Sequence, residues 1–101
     1  MTKDPYTFTY GGREYRIPES MHHGLEHYIQ YGIPGGGFLS AIFENNLVRA
    51  AGAADVWNMP ALPAYANYLY NHMPSDAWGS ADKVAHWVQK GGLRGRDPKD
   101  Q

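Results

Sequence analysis

Gly11-Gly12 stands between two stretches that alternate with period two, Tyr6-Thr7-Phe8-Thr9-Tyr10 and Arg13-Glu14-Tyr15-Arg16-Ile17. A two-residue Gly-Gly loop suits a type I′ turn, since glycine takes positive φ without steric cost. Closing the strands about it pairs Tyr10 with Arg13, Thr9 with Glu14, Phe8 with Tyr15, Thr7 with Arg16 and Tyr6 with Ile17. One face then carries Tyr6, Phe8, Tyr15 and Ile17, and the other Thr7, Thr9, Glu14 and Arg16. A lone hairpin is marginal in water, so the apolar face must lie on helices or on a partner strand.

The rest of the chain reads as helices punctuated by glycine and proline. Pro18 stops the second strand and opens a first helix with the stripe Met21, Leu25, Tyr28 and Ile29, which Gly32 ends. After the loop Ile33–Gly37, a second helix is predicted from about Phe38 to Ala54. Leu39, Ile42, Phe43, Leu47, Ala50 and Ala51 form its wide apolar face, and Asn46 on that face needs a hydrogen-bond partner if buried. Asp55 or Asn58 is placed to cap a third helix with Pro60 in its first turn. Its predicted stripe is Met59, Leu62, Ala66, Leu69 and Met73, flanked by Tyr65, Tyr68 and Tyr70. Trp78 is expected in the core, Ser80 caps a fourth helix facing inward through Val84, Trp87 and Val88, and Gly91-Gly92 ends it. The expectation is an α+β fold, an N-terminal two-stranded hairpin packed on three to four short helices. It forms a single domain over residues 1–92, followed by a polar tail over 93–101.

Composition narrows the function classes. A chain of 101 residues with 43% hydrophobic content and 8 Tyr and 3 Trp can close one modest core, with aromatics supplying much of it. The net charge of −1 gives no basic field for nucleic acid. With no cysteine, thiolate chemistry, disulfides and Cys-based zinc sites are excluded. No apolar leader is visible, and no apolar run approaches the ~20 residues that cross a bilayer. A cytoplasmic protein without membrane contact is expected.

Tyr31-Gly32-Ile33-Pro34 runs into Phe38-Leu39-x-Ala41-Ile42 and Asn46-Leu47. Ala54-Asp55 and Asn58 follow, then Tyr68-Leu69-Tyr70-Asn71, Pro74, Trp78-Gly79-Ser80, Val84 and Trp87. In this pattern the chain from Tyr28 to Trp87 resembles a group of small proteins carried by bacteriophages and other mobile elements. The group has no assigned activity; the resemblance implies a phage or prophage context, in the cytoplasm of a host cell.

Two constellations could carry chemistry. His23-Gly24-Leu25-Glu26-His27 reads H-x-x-E-H, similar to the inverzincin peptidase signature. His23 and His27 at i and i+4 share a helix face and can reach one zinc, with Glu26 as base or further ligand and Glu44 as a partner from the next helix. Gly24 weakens such a helix, and a solvated polar face with His22 alongside is the ordinary alternative. Beyond zinc at this motif, no cofactor is expected. Gly35-Gly36-Gly37 lacks the Lys-Ser/Thr of a phosphate loop and reads as a hinge. His72 and His86 are isolated, and Ser40 and Ser80 sit at helix starts. Arg94 and Arg96 with Lys90 and Lys99 form a small basic tail diluted by Asp97 and Asp100.

The aromatic surplus points elsewhere. Tyr6, Tyr10, Tyr31, Tyr65, Tyr68 and Trp57 exceed what so small a core can hold, and with Arg13 at the hairpin turn they are the candidate partner-binding residues. Three functions follow as expectations. The first is a non-enzymatic phage accessory protein binding a host protein, in its most concrete version inhibiting a defence system as anti-CRISPR proteins do. The second is a metal-binding or metal-dependent hydrolase module at His23, Glu26 and His27. The third is a self-associating protein, such as a homodimer, whose open hairpin edges pair between chains.

Overall fold

The computed structural model describes residues 4–95. An antiparallel hairpin, β1 (Thr7–Tyr10) and β2 (Arg13–Arg16), precedes five helices: α1 (His22–Tyr31), α2 (Gly37–Phe43), α3 (Leu47–Ala53), α4 (Leu62–His72) and α5 (Ala81–Lys90). Short 3-10 turns at Glu19–Met21, Met59–Ala61 and Ser75–Ala77 lead into α1, α4 and the loop before α5. The fold is α+β, as the alternation and the helix signals together require.

The hairpin register is the expected one, Thr7 opposite Arg16 through to Tyr10 opposite Arg13, and Ile17 N–H donates to Tyr6 O at 2.9 Å. Gly11 and Gly12 both take positive φ, 59° and 76°. α4 packs against both strands. Tyr6, Phe8 and Tyr15 rest on the core and Ile17 is fully buried. Tyr6 stacks on His22 (centroids 3.6 Å apart) and on Tyr68 (5.4 Å). His22 Nε2–H donates to Ile17 O at 3.0 Å.

The predicted second helix is two helices. Asn45 adopts φ 62°, a left-handed conformation that asparagine tolerates better than most residues, and Asn46 Oδ1 then accepts Arg49 N–H at 3.1 Å as the cap of α3. Asn46 is thus an exposed cap rather than a core amide, and Leu47, expected inside, is exposed. The third predicted helix keeps Leu69 and Met73 of its stripe inside and rests Leu62 on the core, but the tyrosines expected at its flanks go inward as well. Ala64, Tyr65, Tyr68 and Leu69 are its buried residues, while Ala66 faces solvent. Burying two tyrosines removes more apolar area than burying Ala66 would, and Tyr65 finds a partner for its hydroxyl inside.

The C-terminal ends of α1 and α5 meet backbone to backbone. Gly32 and Gly92 both have positive φ, and a Cβ on Gly92 would lie 2.5 Å from Gly32 N and 2.6 Å from Gln30 C. Trp87 Nε1–H donates to Tyr28 O (2.8 Å), Leu93 N–H to Ile29 O (2.9 Å) and Arg94 N–H to Gln30 O (2.8 Å). Residues 93 and 94, expected to begin a frayed tail, are therefore docked on α1, and Gly95 N–H donates to Gly92 O at 3.2 Å; residues 96–101 of that tail lie outside the described residues. Tyr28 completes the junction. Its ring stacks on Phe43 (3.9 Å) and its hydroxyl donates to Ala77 O at 2.6 Å.

Substituting alanine for Gly12 and for Gly92 should separate conformational strain from collision. Gly12 has open space around it, so Gly12→Ala should cost only the left-handed penalty, about 1 kcal/mol. Gly92→Ala adds contact with the α1 backbone and should cost at least about 2–3 kcal/mol in urea unfolding.

Burial pushes the hydroxyls of Tyr28, Tyr65 and Tyr68 well above the ordinary tyrosine value, with Glu44, Asp55, and Tyr6 and Glu26 respectively adding to it. A raised folded-state value means that this stability is complete below the unfolded value of about 10 and lost as pH climbs through the folded one. Thermal melts should thus be unaffected by these tyrosines up to about pH 10 and fall beyond it, the fall coinciding with tyrosinate absorbance.

Candidate functional site

Tyrosine and tryptophan side chains divide between core and surface in a way their spacing does not reveal. Tyr65 and Tyr68, proposed from sequence as partner contacts, are 1% and 3% exposed and serve the core. Tyr6 is half-buried between His22 and Tyr68. Tyr10 and Arg13 stand exposed at the hairpin tip, and Tyr31 is exposed at the end of α1, its ring edge-on to His27. Trp57 is 72% exposed.

Trp57 is displayed by a built turn. Asp55 Oδ1 accepts the backbone N–H of Trp57 (3.1 Å), the backbone N–H of Asn58 (2.8 Å) and the Asn58 side-chain amide (3.0 Å). Asn58 is buried, and its Oδ1 accepts the Tyr65 hydroxyl at 2.6 Å. Short polar side chains that bond the backbone two and three residues on fix such turns. Here the second partner, Tyr65, anchors the turn to the inward face of α4. Tyr65 thus acts on the surface by positioning, while its ring stays in the core edge-on to Phe38 (5.2 Å).

Val56 and Met59 flank Trp57 in the chain, and on α3 and α4 there are further exposed apolar residues that the sequence pattern had assigned inward or passed over. Leu47, Val48, Val56 and Met59 are all exposed, Val48 at 83%, and Tyr70 is exposed on α4. Leu47 rims a small notch of about 80 Å³ floored by Ile42, Ala50, Leu62 and Leu69. The signals that could have found this surface are Asn45-Asn46, which breaks the helix and turns Leu47 and Val48 outward, and the Asp55-x-x-Asn58 spacing.

The histidine motif occupies a different part of α1. The rings of His23 and His27 lie 3.9 Å apart, centroid to centroid, on an outward-facing strip. Burial raises the hydroxyls of Tyr6 and Tyr68, and the negative charge of Glu26 adds to it. Among the described residues no three His, Asp or Glu side chains come together as a metal-holding group. Glu44 is paired with Arg49 at 3.3 Å across the α2–α3 break. Gly35–Gly37 leads into a seven-residue helix, where Ser40 Oγ–H donates to Gly35 O. No helix among the described residues is long and apolar enough to cross a membrane.

Comparison with known proteins finds no matching family model, no matching curated protein and no matching solved structure. The geometry of the surface is what a functional reading rests on.

If Tyr65 positions the turn, Tyr65→Phe should leave Asn58 Oδ1 without its partner and cost about 1–3 kcal/mol of stability. It should also speed amide hydrogen exchange at Trp57 and Asn58 more than at residues of α5, a local effect that simple loss of core packing would not produce.

Proposed function

We propose that the chain is a non-enzymatic binding protein that docks on a partner protein through the Trp57 turn and the exposed residues that flank it, Val56 and Met59. The observation that carries this reading is Trp57 itself, 72% exposed yet held on a turn tied through Asp55 and Asn58 to a buried tyrosine. A large indole left in water costs solubility, and fixing its backbone costs entropy before any partner arrives. That combination lowers the ordering cost of association, which is where preorganised interfaces gain affinity. Tryptophan is one of the residue types most enriched among interface anchors. Val56 and Met59, exposed on either side of Trp57 in the chain, supply further apolar area.

The likeness of residues 28–87 to proteins carried by bacteriophages supports a host protein as the partner. Inhibition of a host defence system is the specific action in keeping with a small chain that works by occupying a surface.

Affinity capture of the tagged chain from bacterial lysate, read by mass spectrometry, should return one stoichiometric host protein. Trp57→Ala should weaken that complex by about 2 kcal/mol or more, roughly thirtyfold in Kd, while Tyr10→Ala at the hairpin tip retains it. Full binding by a folded Trp57→Ala variant, or retention of no host protein by the parent chain, would overturn the reading.

A further inference from the structure

The His23–His27 motif does not act as a unit in the fold, because α1 turns its residues two ways. Leu25 is fully buried, and a Cβ on Gly24 would lie 3.2 Å from the Leu39 side chain, so the glycine lets α2 pack beneath the helix. His23 and His27, four residues apart on the outer face, bring their rings to 3.9 Å, tilted by 47°. The Tyr31 ring stands perpendicular to His27, 5.6 Å away and one turn further on, and steadies it. The acids are placed elsewhere. The charge of Glu26 is felt by the hydroxyls of Tyr6 and Tyr68, and Glu44 is held by Arg49 at 3.3 Å. Among the described residues no third His, Asp or Glu joins the pair.

The remaining histidines differ from these two. His22 is spent on Ile17 O through its Nε2–H, and its ring is stacked on Tyr6. His72 and His86 are each the single histidine of their helices, α4 and α5.

Two imidazoles one turn apart on a helix can chelate. Their Cβ atoms lie ~5–6 Å apart. An ion bound to both at ~2.0–2.1 Å needs two nitrogens roughly 3–3.5 Å from each other. Rings already 3.9 Å apart can present them by turning about χ2, a torsion with broad wells. Because the rings lie side by side before an ion arrives, little side-chain order is lost on binding. The donors also select the ion. Imidazole nitrogen suits Zn²⁺, Ni²⁺ and Cu²⁺, with Cu²⁺ the tightest, whereas Mg²⁺ and Ca²⁺ demand oxygen ligands.

We propose that His23 and His27 hold one divalent transition-metal ion as a two-nitrogen chelate on the outer face of α1, without Glu26. Protein nitrogens fill two positions and water the rest, so the ion is exchangeable. A catalytic zinc takes three protein ligands, and this site is instead a clamp across one turn of α1. An ion held more tightly by the folded helix than by the unfolded chain stabilises the fold as well.

The test is calorimetric titration of the untagged chain with ZnCl₂, NiCl₂ and CuCl₂, with MgCl₂ as the control. One ion per chain is expected, CuCl₂ binding tightest and MgCl₂ giving no heat. In NMR spectra, ZnCl₂ should shift the ring signals of His23 and His27 together and leave those of His22, His72 and His86 in place. His23→Gln changes an exposed side chain and should weaken NiCl₂ binding at least about tenfold, since the second imidazole acts at the high effective concentration of an intramolecular ligand. His27→Gln should do the same, and His23→Gln decides the matter should His27→Gln fail to fold. Glu26→Gln and Trp57→Ala should leave the affinity unaltered. A His23→Gln variant that binds NiCl₂ as the parent does would make the ion adventitious only and overturn the proposal. So would loss of binding in Glu26→Gln, which would make the acid a ligand, or one ion per two chains, which would make the site a joint between copies.

Discussion

The last carbonyls of α1 have to be satisfied, and the structure satisfies them with chain from the far end of the sequence. A helix leaves its final four C=O groups without intrahelical partners. Here Tyr28 O takes the Trp87 indole as well as Gly32 N–H, Ile29 O takes Leu93 N–H, and Gln30 O takes Arg94 N–H. The approach is possible because neither Gly32 nor Gly92 has a side chain to hold the backbones apart. Trp87 makes the junction apolar as well as polar: its ring is buried, Lys90 lies 4.8 Å above it, and its N–H is spent inside. Closing a contact between residues so distant is slow and entropically costly, and it gives the domain its topology in return. Tyr28 then spreads the constraint, stacking on Phe43 of α2 and bonding Ala77 before α5.

Tyrosine is the residue by which this small domain solves two problems at once. A core of this size lacks enough aliphatic side chains, and tyrosine brings area together with a hydroxyl that must find an acceptor. Tyr28 finds a carbonyl, and Tyr65 finds Asn58. Among the described residues no buried side-chain polar atom lacks a partner, so the polar groups that came in with the aromatics are accounted for. One of those bonds, from Tyr65 to Asn58, is also what holds the Trp57 turn, so the stabilisation of the core and the presentation of the surface share a single hydroxyl.

Local signals were legible wherever glycine, proline or a capping serine made one backbone conformation far cheaper than the others. The hairpin and its register, the glycine stops at Gly32 and Gly91, and the Ser80 cap of α5 all follow from such residues. The break at Asn45 was hidden because an apolar pattern continued through it: Leu47, Ala50 and Ala51 extend the face of Leu39, Ile42 and Phe43 at helical spacing. What decided against continuity was the tolerance of Asn45 for the left-handed region and the capping strength of Asn46, both of which also occur inside helices. The inward placing of Tyr65 and Tyr68 on α4 was hidden for another reason. Periodicity ranks Ala66 above Tyr65 on hydropathy, while packing ranks them by area and by available acceptors. The candidate site was legible in the same partial way. Trp57 was visible as one aromatic among several, but the Asp55–Asn58–Tyr65 chain that distinguishes it requires knowing that Tyr65 points inward.

α4 is the element on which the hairpin and the Trp57 turn converge. Its eleven residues present three faces: Tyr65, Tyr68 and Leu69 to the core, Asn67 and Asn71 to a groove beside β1, and Leu62 with Ala66 to the notch beside Leu47. A helix pinned on its inward face by two buried aromatics does not rotate to favour one face over another, since doing so would withdraw a tyrosine hydroxyl from its partner at the cost of an unsatisfied buried group. The hairpin differs in kind. Among the described residues it has no third strand, and it is held through Tyr6, Phe8 and Tyr15 on one face. The Trp57 turn is already fixed by its own hydrogen bonds and has little order left to gain.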